Sequence, residues 1–188
     1  MVDGWEATAV PGVARRSLAA HADPRGSFTE LWRESWTEPL GAPPFRQANV
    51  SRSLAGVLRG MHLHDRQDDL WIVLEGRAFV ATVDLREMIA GTAAAPIGGA
   101  FELGPGSAVY IPRGVAHGFL AIDAIALAYL VTAEYDGTDE HGFAWDDRLA
   151  GVPWPTTDVT ISDRDRALAG LAAAVNDARQ RSGHSVAR

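Results

Sequence analysis

The run Gly56-Val-Leu-Arg-Gly-Met-His-Leu-His64, continued by Asp69-Leu-Trp-Ile-Val-Leu-Glu-Gly76, constrains this chain more than any other. His62 and His64 stand at i and i+2, positions that point to the same face of an extended strand. Apolar residues flank them, and Glu75-Gly76-Arg77 reads as a turn into a second strand, Ala78 to Leu85. A later stretch, Gly106-Ser-Ala-Val-Tyr-Ile-Pro112-Arg-Gly114-Val-Ala-His117-Gly-Phe119, supplies a strand, a Pro/Gly turn and a third histidine. The histidines are therefore expected to line a pocket enclosed by β-structure.

The rest of the chain reads as short strands between frequent turns. An edge strand is expected near Ala9 to Leu18, and Asp23-Pro24-Arg25-Gly26 is a turn signal before a strand at Ser27 to Trp32. Pro39, Gly41, Pro43 and Pro44 mark a loop, and Phe45 to Ser51 follows as a strand. Met88 to Gly99 is rich in small residues and predicts a loose hairpin or insertion. Ala100 to Leu103 and Ser107 to Ile111 are strands, and the apolar run Phe119 to Thr132 predicts two more around Asp123. From Ser162 the period changes. Ser162-Asp-Arg-Asp165 looks like a capped helix start, and Ala167, Leu168, Leu171, Ala172 and Val175 recur at helical spacing. Residues from about 181 to 188 are expected to be disordered. Many short strands with punctuated turns predict a sandwich or barrel.

With 188 residues, no repeat and no dividing linker, residues 1–188 are expected to form one domain. The chain has no cysteine, which excludes disulfide and thiol chemistry and fits a reducing, cytoplasmic compartment. Acids stand at the N-terminus where a signal peptide needs positive charge, and no apolar run approaches a membrane span. A formal charge of −7 argues against a nucleic-acid partner. All 17 basic residues are arginine.

The histidine stretches resemble the two cupin motifs. His62-x-His64, Asp69 and Gly76 match the first, with aspartate at the acidic position; Gly106, Pro112, Gly114 and His117 match the second. The resemblance implies an all-β, cupin-type jelly-roll barrel with a C-terminal helix, a fold that hosts isomerases, oxygenases and binding proteins. A narrower likeness runs from about residue 22 to 166. Arg25-Gly-x-Phe28-x-Glu30, Gln47-x-Asn49-x-Ser51, Val57-Leu-Arg-Gly-Met-His62, Val83-Asp-Leu-Arg86, Ile111-Pro-x-Gly-x-Ala-His117-Gly-Phe119, Tyr129-x-x-Thr132, Trp145-x-Asp147, Trp154-Pro155 and Ile161-Ser-x-x-Asp165 occur in that order. Together they resemble the dTDP-4-dehydrorhamnose 3,5-epimerase family.

That resemblance implies proton transfer on a dTDP-linked 4-keto-6-deoxy sugar, with no cofactor and no metal. The C4 ketone acidifies the C–H bonds at C3 and C5. A base removes a proton, an enolate forms, and an acid returns a proton to the opposite face at C3, C5 or both. By position, His62 matches the base, Asp165 its carboxylate partner and Tyr129 the acid. Arg25, Phe28, Glu30, Gln47, Asn49, Arg59, His117, Glu140 and Arg164 match substrate contacts. Arg25 and Arg59 suit a diphosphate, and Phe28 suits the thymine. Members are typically homodimers built by strand exchange, so a second copy is the expected protein partner.

One position departs. Members usually carry a lysine just before the strand that begins here at Leu70, where it helps hold the developing enolate oxygen. Asp69 stands in that place, and a carboxylate near a developing oxyanion opposes the reaction. Arg59 or Arg66 could fill the role, or the substrate or regiochemistry could differ. A metal-binding cupin using His62, His64, Asp69 and His117 is the sharpest alternative. A non-catalytic sugar-nucleotide binder is another. Plainer roles stand beside these: His64 as a hydrogen-bonded polar residue, His117 as a turn residue, Asp165 as a helix-start acid, Tyr129 as core, Arg59 as an ion-pair partner.

Overall fold

The computed structural model describes residues 4–185. In chain order its elements are β1 (Trp5–Ala7), β2 (Ala14–Ser17), β3 (Ala20–Asp23), β4 (Gly26–Thr29), α1 (Glu34–Thr37), a 3-10 turn (Glu38–Leu40), β5 (Gln47–Ser53) and β6 (Leu58–Leu63). There follow β7 (Asp69–Glu75), β8 (Ala78–Asp84), α2 (Arg86–Ala90), β9 (Ile97–Leu103), β10 (Ser107–Ile111), β11 (Val115–Ala121), β12 (Ile125–Val131), β13 (His141–Gly142), α3 (Asp163–Arg166) and α4 (Leu171–Ser185).

Eleven of the strands form two antiparallel sheets, ordered β1-β2-β10-β7-β12-β5 and β13-β6-β11-β8-β9, and β3 and β4 pair as a separate hairpin. The expected cupin-type jelly roll is the fold observed. Period-2 alternation sorts its faces. Trp71, Val73, Val109, Ile125 and Leu127 of one sheet meet Val80, Val115 and Phe119 of the other in a shared inner core. The alternate residues Leu70, Ile72, Ala108 and Tyr110 pack outward under Trp5 and Trp32. On the back of the second sheet, Met61, Leu63, Ala81 and Val83 are covered by Leu171, Ala174 and Val175 of α4. No helix among the described residues is long and apolar enough to cross a membrane.

Several local expectations are corrected. The N-terminal strand is a hairpin, β1 paired with β2, and β2 lies inside the sheet beside β10. Met88 to Gly99 holds the end of helix α2 and the start of β9 rather than a loose insertion. The expected C-terminal helix is two. Asp147, from a distant loop, accepts the Leu171 N–H at 2.9 Å, so a fresh helix start interrupts the apolar periodicity after Ala167. Disorder was expected from about residue 181, but α4 continues to Ser185; residues 186–188 lie outside the described range.

Gly60 sets the spacing between β6 and β11. It sits at φ +135°, and a Cβ there would lie 2.6 Å from the Gly118 Cα. Gly60→Ala is expected to destabilise the fold by about 1–3 kcal/mol, the usual cost of forcing volume into a packed site. The readout is a lower urea midpoint at constant m-value; an unchanged midpoint would mean the two strands can separate there.

Candidate active site

β6 carries His62 on the inner face, paired in register with His117 of β11 and Gly142 of β13. Its Nε2 lies 2.9 Å from Asp165 Oδ1. Asp165 arrives from far along the chain. A parallel bridge joins Val57 to Thr160, and the Leu58 N–H donates to Thr160 O, which lays the entry to α3 beside β6. Ser162 then caps α3 by accepting the Asp165 N–H at 3.1 Å. One geometry thus makes Asp165 a first-turn acid of α3 and places its carboxylate against the His62 ring. Asp165 Oδ2 also accepts the Gly60 N–H at 3.3 Å. Burial pushes the Asp165 carboxyl up, but the His62 hydrogen bond and charge, the Gly60 N–H and Arg164 outweigh it and hold the group below the usual carboxylate range. A His62 ring donating Nε2–H to this carboxylate keeps its lone pair on Nδ1.

The opposite sheet supplies Tyr129, half-buried on the inner face of β12 and packed against the shared core. It stands between Asn49 of β5 and Trp71 of β7. The Trp71 ring is 5.1 Å from that of His117, which is the cross-strand partner of His62. Burial pushes the Tyr129 phenol up, and the charges of Asp69 and Glu140 add to this against Arg59. The phenol is therefore protonated through neutral pH. Arg164 pairs with Glu140, and Gln47 donates to Asn49 at 2.9 Å. Arg59 donates to Ser53 Oγ at 2.9 Å and to the Arg52 carbonyl; among the described residues it makes no ion pair, contrary to the plain reading.

Three expected contact residues lie elsewhere in this chain. Arg25 and Phe28 ride on the β3–β4 hairpin, which forms its own two-stranded sheet apart from the barrel. Phe28 is 65% exposed and, among the described residues, Arg25 pairs only with Asp23, while Glu30, just past the hairpin, pairs with Arg33.

The four residues of the metal alternative are not brought together. His62 is engaged by Asp165, while His64, Asp69 and His117 converge, with one ligand atom from each within 4.8 Å of the others. His64 is buried, so its reading as a satisfied polar residue holds only for Nδ1, which donates to the Asp139 carbonyl at 2.6 Å. Burial pushes Asp69 up and His117 well down. A second, more exposed group joins Asp65, Asp139 and His141.

Sequence reasoning missed Asp139 and Asp68, the two carboxylates that fix this region. Asp139 accepts the N–H groups of Asp65 and Arg66, and Asp68 accepts from Tyr110 Oη, Arg113 N and Arg113 Nε. Neither belongs to a local motif, so no signal in the sequence could have found them.

Residues 7–173 match the dTDP-4-dehydrorhamnose 3,5-epimerase family. The spore coat polysaccharide biosynthesis protein SpsL of Bacillus subtilis is 37% identical, covering 78% of this chain and 97% of that protein. The dTDP-4-dehydrorhamnose 3-epimerase of Streptomyces niveus is 35% identical over 84% of this chain and 78% of its own length. Among solved structures, NovW of Streptomyces spheroides, a 4-keto-6-deoxy sugar epimerase from the novobiocin biosynthetic gene cluster, superposes with a TM-score of 0.81. It is 32% identical and the match covers 93% of this chain and 90% of that one. The chain belongs to the dTDP-4-dehydrorhamnose 3,5-epimerase family. Within this epimerase family member, the position expected to hold lysine is Asp69, buried among histidines.

The depressed Asp165 pKa has a stability consequence. A native pKa below the unfolded one adds stability above the ordinary aspartate value of about 3.9, and that stability is lost as pH falls through the native value. The stability gap between wild type and Asp165→Asn is expected to narrow as pH drops below about 4, read from urea melts at stepped pH. A gap constant across that window would mean the charge on Asp165 adds nothing.

Proposed function

We propose that this chain epimerises a dTDP-linked 4-keto-6-deoxy sugar by proton abstraction and return through an enolate, in deoxysugar biosynthesis. The observation that carries the reading is a carboxylate-backed imidazole on one inner face and a protonated phenol on the other. His62 is the base. Its protonated form, created when it takes the C–H proton, is stabilised by the ionised Asp165 at 2.9 Å. Tyr129 is the acid that delivers a proton from the opposite side of the ring. Arg59 serves the diphosphate, and Gln47, Asn49, His117, Glu140 and Arg164 shape the sugar site. The family membership and the epimerase relatives support the substrate class; the carbon inverted, C3, C5 or both, is what the assay reads.

In deuterated solvent the wild type is expected to wash label into the sugar at the carbon it inverts. His62→Gln should lower both exchange and inversion by ~10²–10⁴-fold, the usual contribution of a positioned base. Tyr129→Phe should depress inversion far more than exchange, because His62 can still remove a proton and return it to the same face. Equal loss of exchange in both variants would reverse or cancel these roles.

The same reading makes the working unit a homodimer, with the β3–β4 hairpin reaching a second copy's site. Its support is a hairpin that bonds to no barrel strand among the described residues, and an edge strand, β5, with Val50 57% exposed and Leu54 75% exposed beyond its end. Sedimentation equilibrium should give twice the chain mass of 20.1 kDa. Phe28→Ala should weaken dTDP binding by about 1–3 kcal/mol, typical of base–aromatic stacking, without lowering the melting temperature. A monomer at micromolar concentration, or undiminished dTDP affinity, would remove the hairpin from the site.

A further inference from the structure

Asp69 is a buried carboxylate for which, among the described residues, the chain supplies no arginine partner. It is 3% exposed and opens β7. The sequence holds no lysine. The two arginines considered above as replacements are engaged elsewhere. Arg59 donates to Ser53 Oγ and the Arg52 carbonyl, and Arg66 pairs with Asp136 and donates to Thr138 Oγ1.

The groups that do face Asp69 are polar but give it no charge-paired hydrogen bond. The Gln67 amide, which is neutral, donates to Oδ2 at 3.1 Å. His64 Nε2 stands 3.9 Å and His117 Nε2 4.0 Å from Oδ2, beyond hydrogen-bond length. A backbone carbonyl only accepts, so the Nδ1 atoms that meet the Asp139 and Val115 carbonyls at 2.6 and 3.0 Å carry the hydrogen. In a neutral ring Nε2 is then an acceptor. Burial and the neighbouring imidazoles hold His117 well below the usual histidine range, so its ring is neutral at neutral pH. A buried carboxylate beside acceptors is costly unless a cation joins it. Acceptors that share one ammonium group at about 2.8–3.0 Å stand about 4–5 Å apart. One ligand atom from each of His64, Asp69 and His117 lies within 4.8 Å of the others.

This carboxylate is also within electrostatic reach of both proton-transfer groups. Its charge acts on the Tyr129 phenol, and the charge of His62 acts on it. Two residues on along the same strand, Trp71 pairs in register with Tyr129.

We propose that the sugar this chain epimerises carries an amine on C3, and that Asp69, with His64 Nε2 and His117 Nε2, receives its ammonium group. The proposal rests on the epimerase reading of the same site and names the substrate class, a dTDP-linked 3-amino-4-keto-6-deoxy sugar. Of the two carbons beside the ketone, C5 bears the methyl group, so C3 is the place for an amine. An ammonium there lies next to the oxygen that becomes the enolate. The positive charge expected of a lysine at position 69 thus arrives on the substrate, and Asp69 holds it in place. The ammonium in turn cancels the like-charge repulsion that a bare carboxylate would exert on the enolate.

The test is calorimetric titration of the full chain with three ligands that lack the ketone and so bind without reacting: dTDP, dTDP-6-deoxyglucose and dTDP-3-amino-3,6-dideoxyglucose. The amino sugar is expected to bind about 10–100-fold more tightly than the hydroxy sugar, the range of a hydrogen bond to a charged group. Asp69→Asn should abolish that preference, and Asp69→Lys should turn it into discrimination against the amine. A matching far-UV spectrum and cooperative melt show that the Asn variant is folded. Equal affinity for the two sugars, or a preference that survives Asp69→Asn, overturns the proposal. Either result leaves the epimerase reading standing, because dTDP binding and deuterium wash-in on the neutral keto sugar test that separately. Failure of dTDP itself to bind overturns both.

Discussion

The buried charge on Asp165 is the interaction from which the rest of the site follows. A lone carboxylate in an apolar barrel wall would be expected to take up a proton. Here the side chain is 6% exposed and still held below the usual carboxylate range, because the His62 ring, the Gly60 N–H and the field of Arg164 act on it together. That arrangement needs three things from separate parts of the chain. β6 must carry an imidazole inward, a glycine must let β6 lie against β11, and a four-residue helix must present its first-turn acid to that strand. The Thr160 contacts with Gly56 and Leu58 supply the last of these, since they run the C-terminal segment alongside the strand.

The barrel's inner face is divided by polarity. Toward one end Val80, Val109, Leu127 and Phe119 close the core with hydrocarbon. Toward the other the same alternation delivers His62, His117, Asp69 and Tyr129. Buried polar groups demand partners, and in this region the partners come from outside the sheets. Asp139 and Asp68 take several donors each, so the loops that carry them act as fixed walls. The polar end is thus rigid before any ligand arrives, which suits proton transfer between fixed groups.

Much of this was legible in the sequence, and the unreadable part has a common cause. The i, i+2 spacing of His62 and His64 on apolar strands announced the inward face, and it was the family resemblance that set Tyr129 opposite. The order of short motifs pointed to Asp165 as the partner of His62, a contact spanning 103 residues. What could not be read were contacts between a side chain and a remote backbone group. The bond from His64 to the Asp139 carbonyl spans 75 residues and involves no side chain at its far end. The same holds for Asp147, whose cap on Leu171 splits the C-terminal helix although the apolar periodicity runs on. Backbone acceptors and donors carry no residue signature, so the sequence is silent wherever one of them decides the structure. For Arg25 and Phe28 the motif is plain, but the hairpin that carries them pairs with no barrel strand among the described residues, and no local signal says where it lies.

Asp69 shows how a local departure can be coherent with its surroundings. Considered alone, a carboxylate beside a developing oxyanion is unfavourable. Its neighbours change the reasoning: the Gln67 amide donates to the carboxylate, and two imidazoles, each held by a backbone carbonyl, face it. His64 is the telling member of this set. His62 and His117 have places in the proton-transfer reading, whereas His64 has none there, and yet it is the histidine held by the shortest of these bonds. The structure therefore places two adjoining buried polar groups at this end of the barrel, one joining Asp165 to His62, the other gathering Asp69, His64 and His117.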